Sequence, residues 1–594
     1  MLGKVPMIEL QRMIMPDLDV CREPRLYVRC MRNAVYSYAN RQVRARAGGR
    51  VSFATLYGAF NIEKWRRLAG VSRLFLRLDL TGSGEITVWN LRKGYEPRLL
   101  AAQEVADAHG EMMEMPLTDA PDGLIAAEFT AWGGAVLTGG AWLTPDRPVR
   151  EVRLGVVITS FHRESAVRAA VRRLLDGLER DAVAPLRVLV VDNGRTLTAE
   201  DVAGARLIPN LNLGGAGGFA RGLAELQDDG GYTHAVFMDD DASAELESLR
   251  RAVQLLRYVR DDHTAIVSGL LFEEYPGIQL EAAGQMPGDT WIPVRPGVDL
   301  RITRNVVENE VTFAMDYGGW WMFFFPLSHV TNLPFPFFVR GDDVEFPRAN
   351  PFSLVTLNGI NSFGPDFFRK ESPVNVALDR RGNLVNVLLH GSLRSALTGS
   401  IRGLQKGLIF ANRYCYDHVD ALSEGTRDVL AGPTRFEDLA GFADGRRKEY
   451  AACARQPRLE AADVPAYPKI VPRRHGVLWH AVRLLAFNGH LVPRWLLIRS
   501  PGILGTVWES PGSAVFLRPR VLIYEGLNGR AVLAERDVRR YFGSLARLAW
   551  LSLRLIWAVP RLRREFRSTR KRFGSRAYWN AQFEKIDQEK PAAD

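Results

Sequence analysis

The sequence predicts an α/β fold built in three parts: an N-terminal β-sandwich over residues 1–150, an α/β domain with a mostly parallel sheet over 151–400, and a mainly helical domain over 401–594. Three observations predict it. Apolar residues alternate at period two before residue 150, short apolar strands alternate with amphipathic helices after Val152, and helical spacing dominates beyond about residue 400. A chain of 594 residues is also too long for a single compact core.

In the first part, Leu74, Leu76, Leu78 and Leu80 alternate with Arg73, Phe75, Arg77 and Asp79, the pattern of a half-buried strand. Thr81-Gly82-Ser83-Gly84 offers a turn and Glu85–Asn90 resumes as a strand, so the pair reads as a hairpin. Further strands are expected within Arg50–Phe60 and Leu124–Leu143. In the second part, Leu154–Thr159, Val188–Val191, Ala235–Met238 and Ala265–Leu271 read as buried strands. Val167, Val171, Leu174, Leu175 and Leu178, and then Leu246, Leu249, Val253 and Leu256, fall at helical spacing between them. Ligands of such sheets bind beyond the C-terminal strand ends, so the chemistry is expected just after each strand. In the third part, Leu545, Leu548, Leu551, Leu555 and Val559 make one apolar helix face, with Trp550 and Trp557 on its flank. Pro560 is expected to end that helix before the basic run Arg561–Arg572.

Hydrophobic residues make up 47% and charged residues 24%, which excludes a disordered or fibrous chain. The net charge of +11 fits nucleic acid, an anionic membrane surface or phosphorylated small molecules as partners. The acidic centre and the few aromatics within the basic run argue against nucleic acid. The four cysteines (Cys21, Cys30, Cys415, Cys453) form no CxxC pair, which argues against a zinc site or redox dithiol and for a reducing, cytoplasmic setting. No signal-peptide core is seen at the N-terminus, and the longest apolar stretch, Leu545–Val559, is broken by Arg547 and Arg554. A soluble or peripheral protein is expected.

The sharpest chemical signal is Asp239-Asp240-Asp241, directly after the apolar run AVFM. Adjacent carboxylates at a buried strand end repel one another and call for a cation, and their oxygens suit Mg2+ or Mn2+. Asp239 and Asp241 point the same way in an extended segment and can share that ion; a solvated acidic loop is the plainer alternative. Asp342-Asp343-Val344-Glu345 again follows a dense apolar run, and one of its aspartates can serve as general base. Asp342 can instead cap a helix with Glu345 as its capping-box partner. The loop Asn210–Phe219 holds Gly214, Gly215, Gly217 and Gly218, which allow close approach to a phosphate but lack GxGxxG spacing. Thr159–Arg163 and Val190–Gly194 close the first two strands with polar residues. Of Trp320 and Trp321, one is expected in the core and the other facing the cleft, as a possible platform for a sugar.

In this order, TSFHR, VVDNG, NLNLGGAGGFARG, VFMDDDA, GGWWMFFFP and FFVRGDDVEF resemble a family-2 glycosyltransferase of the GT-A fold. With the N-terminal TLYGAF run and Trp65, the chain is similar to the polymerising, mycobacterial-type galactofuranosyltransferases, which carry an N-terminal β-sandwich. The resemblance is firm between about residues 154 and 350. It implies that Arg163 and Asp192 contact the uridine nucleotide and that Asn212, Gly214 and Gly215 line the donor pocket. It places the metal, Mn2+ or Mg2+, on Asp239 and Asp241, and the donor sugar or ribose beside Asp240. Trp320, Trp321, Asp342 and Glu281 shape the sugar and acceptor site, and Asp343 is the catalytic base. The family's metal-binding His is missing: Phe363-Gly364 stands in the matching stretch, leaving Asp366 or water as the third ligand.

The expected activity is inverting transfer of galactofuranose from UDP-galactofuranose to a lipid-linked or polymeric glycan of the cell wall. The expected location is the inner face of the cell membrane, held peripherally on anionic lipid. A homo-oligomer is compatible with the chain. The competing readings are a transferase for another activated sugar such as rhamnose, and a non-catalytic glycan- or membrane-binding scaffold, the latter suggested by Gly364.

Overall fold

The protein is described by a computed structural model over residues 6–115, 121–180, 186–367, 371–470, 476–498, 502–506, 511–525 and 530–588. It is a mixed α/β chain with a sheet-rich N-terminal part and a helical C-terminal part.

The N-terminal strands form one ten-stranded antiparallel sheet instead of two separate layers. Its ends, Arg29–Met31 and Ala34–Ser37, are neighbours in sequence and pack together, so the sheet curls back on itself. Two strands of 18 residues each, Leu74–Leu91 and Arg98–Met115, are long enough to serve both sides of the curl. The hairpin turn expected at 81–84 is therefore absent. The first strand runs through these residues on a bulged bend, with Gly82 at φ +117°, and the chain reverses only after Leu91. Before the bend, Phe75–Thr81 pair with the strand Ala135–Thr144; after it, Gly84–Leu91 pair with Leu124–Ala131. Glycine permits either a turn or a bulge, and pairing on both sides selects the bulge. The leucines at 74, 76, 78 and 80 are buried as their alternation requires.

In the central part seven strands lie in the order Arg206–Pro209, Leu186–Asp192, Leu154–Ser160, His234–Asp239, Phe323–Pro326, Thr264–Val267 and Ser353–Val355. The first four are mutually parallel, and Phe323–Pro326 runs antiparallel to both its neighbours. The single strand expected at 265–271 is two. Thr264–Val267 stays in the main sheet, and after Ser268 the segment Gly269–Phe272 joins a small sheet with Ser243–Ala244, Asn361–Gly364 and Gln279–Glu281. Gly269 makes the shift possible, since a Cβ there would press on the Asn361 amide.

The N-terminal part is fastened to the core by a buried guanidinium. Arg251, in the helix Leu246–Tyr258, is fully buried. It donates to the carbonyls of Asn358 (2.7 Å), Tyr57 (2.9 Å) and Arg12 (3.2 Å), and to the Glu247 carboxylate (3.4 Å). Lys64 and Glu310 form a second buried ion pair across the same seam.

The C-terminal part packs Pro373–His390, Leu393–Ala411, Tyr416–Leu430 and the 36-residue helix Val538–Phe573 against one another, with a four-stranded sheet alongside. Helical structure begins at Pro373, ahead of residue 400. Pro560 does not end the long helix. It sits on the solvent side, while Val559, Leu562, Phe566 and Phe573 are buried. Burying each such side chain contributes about 1.5–3 kcal/mol, which together outweighs the roughly 3 kcal/mol cost of an interior proline.

Of the apolar face Leu545, Leu548, Leu551, Leu555 and Val559, the last four are buried against these helices and Leu545 is partly buried, so the face is covered by the protein and not free for a membrane. The basic run is equally engaged. Arg563 and Arg567 donate to the last carbonyls of Pro373–His390 and to Gly391. Arg561 pairs with Glu565, and Arg572 with Glu437.

Arg251→Ala removes the bonds of its guanidinium at once and leaves the buried Glu247 without that i+4 partner. It should lower unfolding free energy by about 3–5 kcal/mol in urea titrations, a loss that Arg251→Lys does not restore.

Candidate active site

A cleft of about 830 Å³ opens beyond the C-terminal ends of the strands Leu154–Ser160 and His234–Asp239. Asp239 ends its strand, and Asp240 and Asp241 occupy the turn that follows. Burial raises the Asp239 carboxyl far above the usual range, and Asp241, Asp240, Asp343 and Asp342 each add to the rise. Burial likewise lifts Asp240 to about 6, against the opposing pull of Arg163. Arg163 lies 2.5 Å from Asp241 and 3.3 Å from Asp240, so its guanidinium is the cation on the triplet.

The second carboxylate pair begins the helix Asp342–Ala349. Gly341, at φ +104°, is its N-cap, so Asp342 is the first helical residue and not the cap. Phe338 and Arg340 just before it also hold positive φ, at 74° and 70°. Each such residue stores on the order of 1 kcal/mol, and such strain persists only where the surroundings enforce it. Here the Ala216 amide donates to the Phe338 carbonyl (3.1 Å), and Arg340 faces Asp379 at 3.6 Å. Burial raises both carboxyls, and each resists ionisation of the other. Arg340 and the helix's first amides oppose the rise at both carboxyls, and Arg340 is the largest opposing influence on Asp343.

The glycines expected in a loop form the first turn of the helix Gly214–Asp229. Gly214 sits at φ +68°, where a Cβ would overlap the Phe338 carbonyl, and Gly218 presses on Thr159 of the first strand. Gly214 and Gly215 line the cleft beside Asn212, whose Oδ1 accepts from the Gly214 amide at 3.2 Å. Trp320 and Trp321 both line the cleft and both are buried, because they lie in a turn where strand alternation does not apply. Trp320 packs on Phe219 and Phe237, and the Trp321 indole donates to the Ser268 carbonyl at 3.1 Å. Glu281 enters from the small sheet. Burial raises its carboxyl to about 8, Asp343 adds to the rise, and its Oε1 has no hydrogen-bond partner among the described residues.

Asp192 departs from its expected role. Its buried carboxylate accepts from the amides of Gly194 (2.9 Å), Thr196 (2.7 Å) and Leu197 (2.7 Å), and it does not line the cleft. It shapes its own loop. The neighbouring Asn193 lines the cleft instead, donating to the Gly214 carbonyl at 3.1 Å. Gly364 and Asp366 also lie outside the lining, whereas Phe367 and Glu371 belong to it. The cleft then continues between the C-terminal helices past Trp291, Asn375, Arg402 and Lys406.

Glu345 is no capping-box partner. It is fully buried and accepts from Arg570 (2.7 Å) of the long C-terminal helix, with His390 at 3.1 Å. Burial alone would raise its carboxyl, but Arg570 and His390 hold it below the ordinary value. A carboxylate lowered in this way contributes stability that is complete above its unfolded pKa of 4.5 and is lost as pH falls through the folded value. Arg570→Met reverses the case by leaving the charge buried with His390 alone. Urea titrations should show a deficit of about 3–5 kcal/mol at pH 7.5 that shrinks at pH 4. An equal deficit at both pH values would mean that the ion pair is not its cause.

Residues 10–145 match the family model described as Galactofuranosyltransferase 2 N-terminal. Galactofuranosyltransferase GlfT2 of Mycolicibacterium smegmatis is 25% identical over 422 residues, covering 64% of this chain and 64% of its own length. The enzyme of that name from Mycobacterium tuberculosis is 24% identical over 427 residues, covering 65% and 66%. The chain thus aligns with slightly less than two thirds of each relative's length. Among solved structures, the mannosyltransferase PcManGT from Pyrobaculum calidifontis, in complex with GDP-Man and Mn2+, is 14% identical with a TM-score of 0.28, covering 52% of this chain and 84% of its own. By its N-terminal family model and by the aligned part of its sequence, the chain is similar to the mycobacterial galactofuranosyltransferases.

Proposed function

We propose that the chain is an inverting GT-A glycosyltransferase, organised as a sheet domain (1–150), a catalytic domain (151–400) and a C-terminal domain (401–594), that transfers galactofuranose from UDP-galactofuranose to a glycan or lipid-linked glycan. The observation that carries this reading is that two carboxylate groups, Asp239–Asp241 and Asp342–Asp343, line one cleft with a glycine-lined helix start. The similarity to galactofuranosyltransferases supports the choice of sugar.

The donor set fits a hard divalent ion, Mn2+ or Mg2+: the Asp239 carboxyl is desolvated and crowded by like charge, and Asp241, which pairs with Arg163, lines the same cleft. Asp239 and Asp241 would hold it, and once bound it supplies charge stabilisation to the departing nucleoside diphosphate. Arg163, at the mouth of the triplet, would contact the nucleotide. Asn193, Asn212, Gly214 and Gly215 line the donor end, with Asp240 beside the ribose or sugar. Trp320, Trp321 and Glu281 bound the sugar, and Asp342 lies at the acceptor side. Asp343 takes the acceptor hydroxyl's proton as that oxygen bonds to the anomeric carbon. The bond to the diphosphate breaks with its electron pair, and the configuration inverts.

Asp343→Asn should leave donor KM nearly unchanged and lower kcat by about 10²–10⁴-fold, measured as released nucleotide. Asp241→Asn or EDTA should abolish turnover. Full loss in Asp342→Asn with an active Asp343→Asn would move the base by one residue. Full activity in EDTA would remove the metal.

A peripheral membrane position at the cytoplasmic face is the second element of the proposal, and it rests on a different surface from the Leu548–Val559 face. Phe542, Trp550, Leu553 and Trp557 form an exposed stripe along the long helix, with Trp557 82% exposed. The helix Val477–Leu485 adds exposed Val477, Leu478 and Leu485, and Phe487 joins the two by packing on Phe542 at 5.3 Å. Arg539, Arg547, Arg554, Arg561 and Arg564 are exposed on the same helix. Exposed tryptophans beside arginines suit an anionic interface. In co-sedimentation with phosphatidylglycerol vesicles, the triple variant Trp550→Ser, Leu553→Ser, Trp557→Ser should pellet several-fold less than wild type. Equal pelleting of both would contradict this surface, and a wild-type dimer broken by the variant would assign it to a homo-oligomer.

A further inference from the structure

At the opposite end of the main sheet from the cleft, three chain segments converge on two imidazoles. His263 immediately precedes the strand Thr264–Val267, and His329 ends the short 3-10 turn Leu327–His329 that follows Phe323–Pro326. Their rings stack with centroids 3.7 Å apart. The Asp262 carboxylate faces both: Oδ2 lies 3.1 Å from His329 Nε2, and Oδ1 lies 4.0 Å from His263 Nε2. One ligand atom from each of the three residues lies within 4.8 Å of the others.

The third segment fixes the tautomer. His263 Nδ1 is 2.7 Å from the Pro351 carbonyl, and a carbonyl can only accept, so Nδ1 carries the proton. In the neutral ring Nε2 is then a lone pair, and it is turned toward a carboxylate. At that position the ring either takes a second proton or offers its lone pair to a cation shared with the carboxylate. A histidine that donates Nδ1–H to a backbone carbonyl and offers Nε2 is the arrangement of a metal ligand.

We propose that Asp262, His263 and His329 form a second divalent-metal site, of the imidazole-rich kind that takes Zn2+, Co2+ or Ni2+ rather than Mg2+. Two imidazoles and one carboxylate select these ions over the hard ones. Ligand atoms around a tetrahedral ion lie roughly 3.3 Å apart, and two imidazoles sharing it hold their centroids roughly 5 Å apart, so the ion would draw the ligand atoms together while opening the present 3.7 Å ring stack. The fourth position is open to water, since Asp262 and His263 face solvent. The ion would clip the turn before Thr264–Val267 to the far end of the segment that carries Trp320 and Trp321, while hydrogen bonds to His263 hold the 350–353 stretch beside it. The Ser353 amide already donates to the His263 carbonyl at 2.9 Å. The site would thus brace the cleft from behind. It involves none of the cysteines and does not depend on the proposed transfer reaction.

The test uses Co2+ as a spectroscopic probe on the purified full chain at pH 7.5 in excess Mg2+. Wild type and Asp241→Asn should both show a stoichiometric d–d absorption band in the visible. Zn2+ should displace it and raise Tm by several degrees. His263→Ala and His329→Ala should each lose the band and the Tm rise while keeping wild-type circular dichroism, and His329→Gln serves if the alanine variant folds poorly. A wild type without the band, or histidine variants that retain it, would overturn the site.

Discussion

Several carboxyl groups share one low-dielectric cleft, and their mutual repulsion is the constraint around which the rest of the molecule is arranged. Asp239, Asp240, Asp342, Asp343 and Glu281 are each buried enough for desolvation to be the largest influence on their ionisation, and in every case it raises the pKa. A fold that holds such a set at neutral pH must supply positive charge from elsewhere. Arg163 supplies it to the triplet and Arg340 to Asp343, both from segments with unusual backbone: His162 precedes Arg163 at φ +54°, and Arg340 is itself at positive φ. The protein thus places its cations by strained turns rather than by regular elements.

The elements that carry these groups are short and are braced from outside. The helix that starts at Asp342 has only eight residues, too few for independent stability, and it is pinned by Glu345 to Arg570 and His390. The long C-terminal helix therefore positions the proposed base from behind, and this also accounts for the engagement of its basic run within the protein. On the other flank, Arg251 and the Lys64–Glu310 pair lock the curled N-terminal sheet to the core. In both places one buried ion reaches between segments distant in sequence, so the cleft's geometry depends on the whole chain being folded.

Much of this was legible in the sequence, for a physical reason. A charged triplet after four apolar residues, or an aspartate pair after PFPFFVR, is costly unless it has a task, and the three-part order of strands and helices follows from hydrophobic period alone. What was not legible depended on partners. An aspartate at a strand end looks the same whether it faces a ligand or accepts from its own loop, and Asp192 does the latter. Glu345 lies at capping-box spacing, yet its cation comes from a helix that no local pattern connects to it. The leucine face at 548–559 announced an apolar surface without saying what covers it, and the protein's own helices do. Thr81–Gly84 permits a turn or a bulge, and only the strands on either side decide.

The joint action of the two carboxylate groups can be read without turnover, by calorimetry of UDP binding in the presence and absence of Mn2+. The proposed roles require that UDP bind wild type far more tightly with Mn2+ than without it, that Asp241→Asn lose this dependence, and that Asp343→Asn keep it in full. Equal affinity for UDP with and without Mn2+, or loss of the dependence in Asp343→Asn, would contradict the division of labour assigned to the cleft.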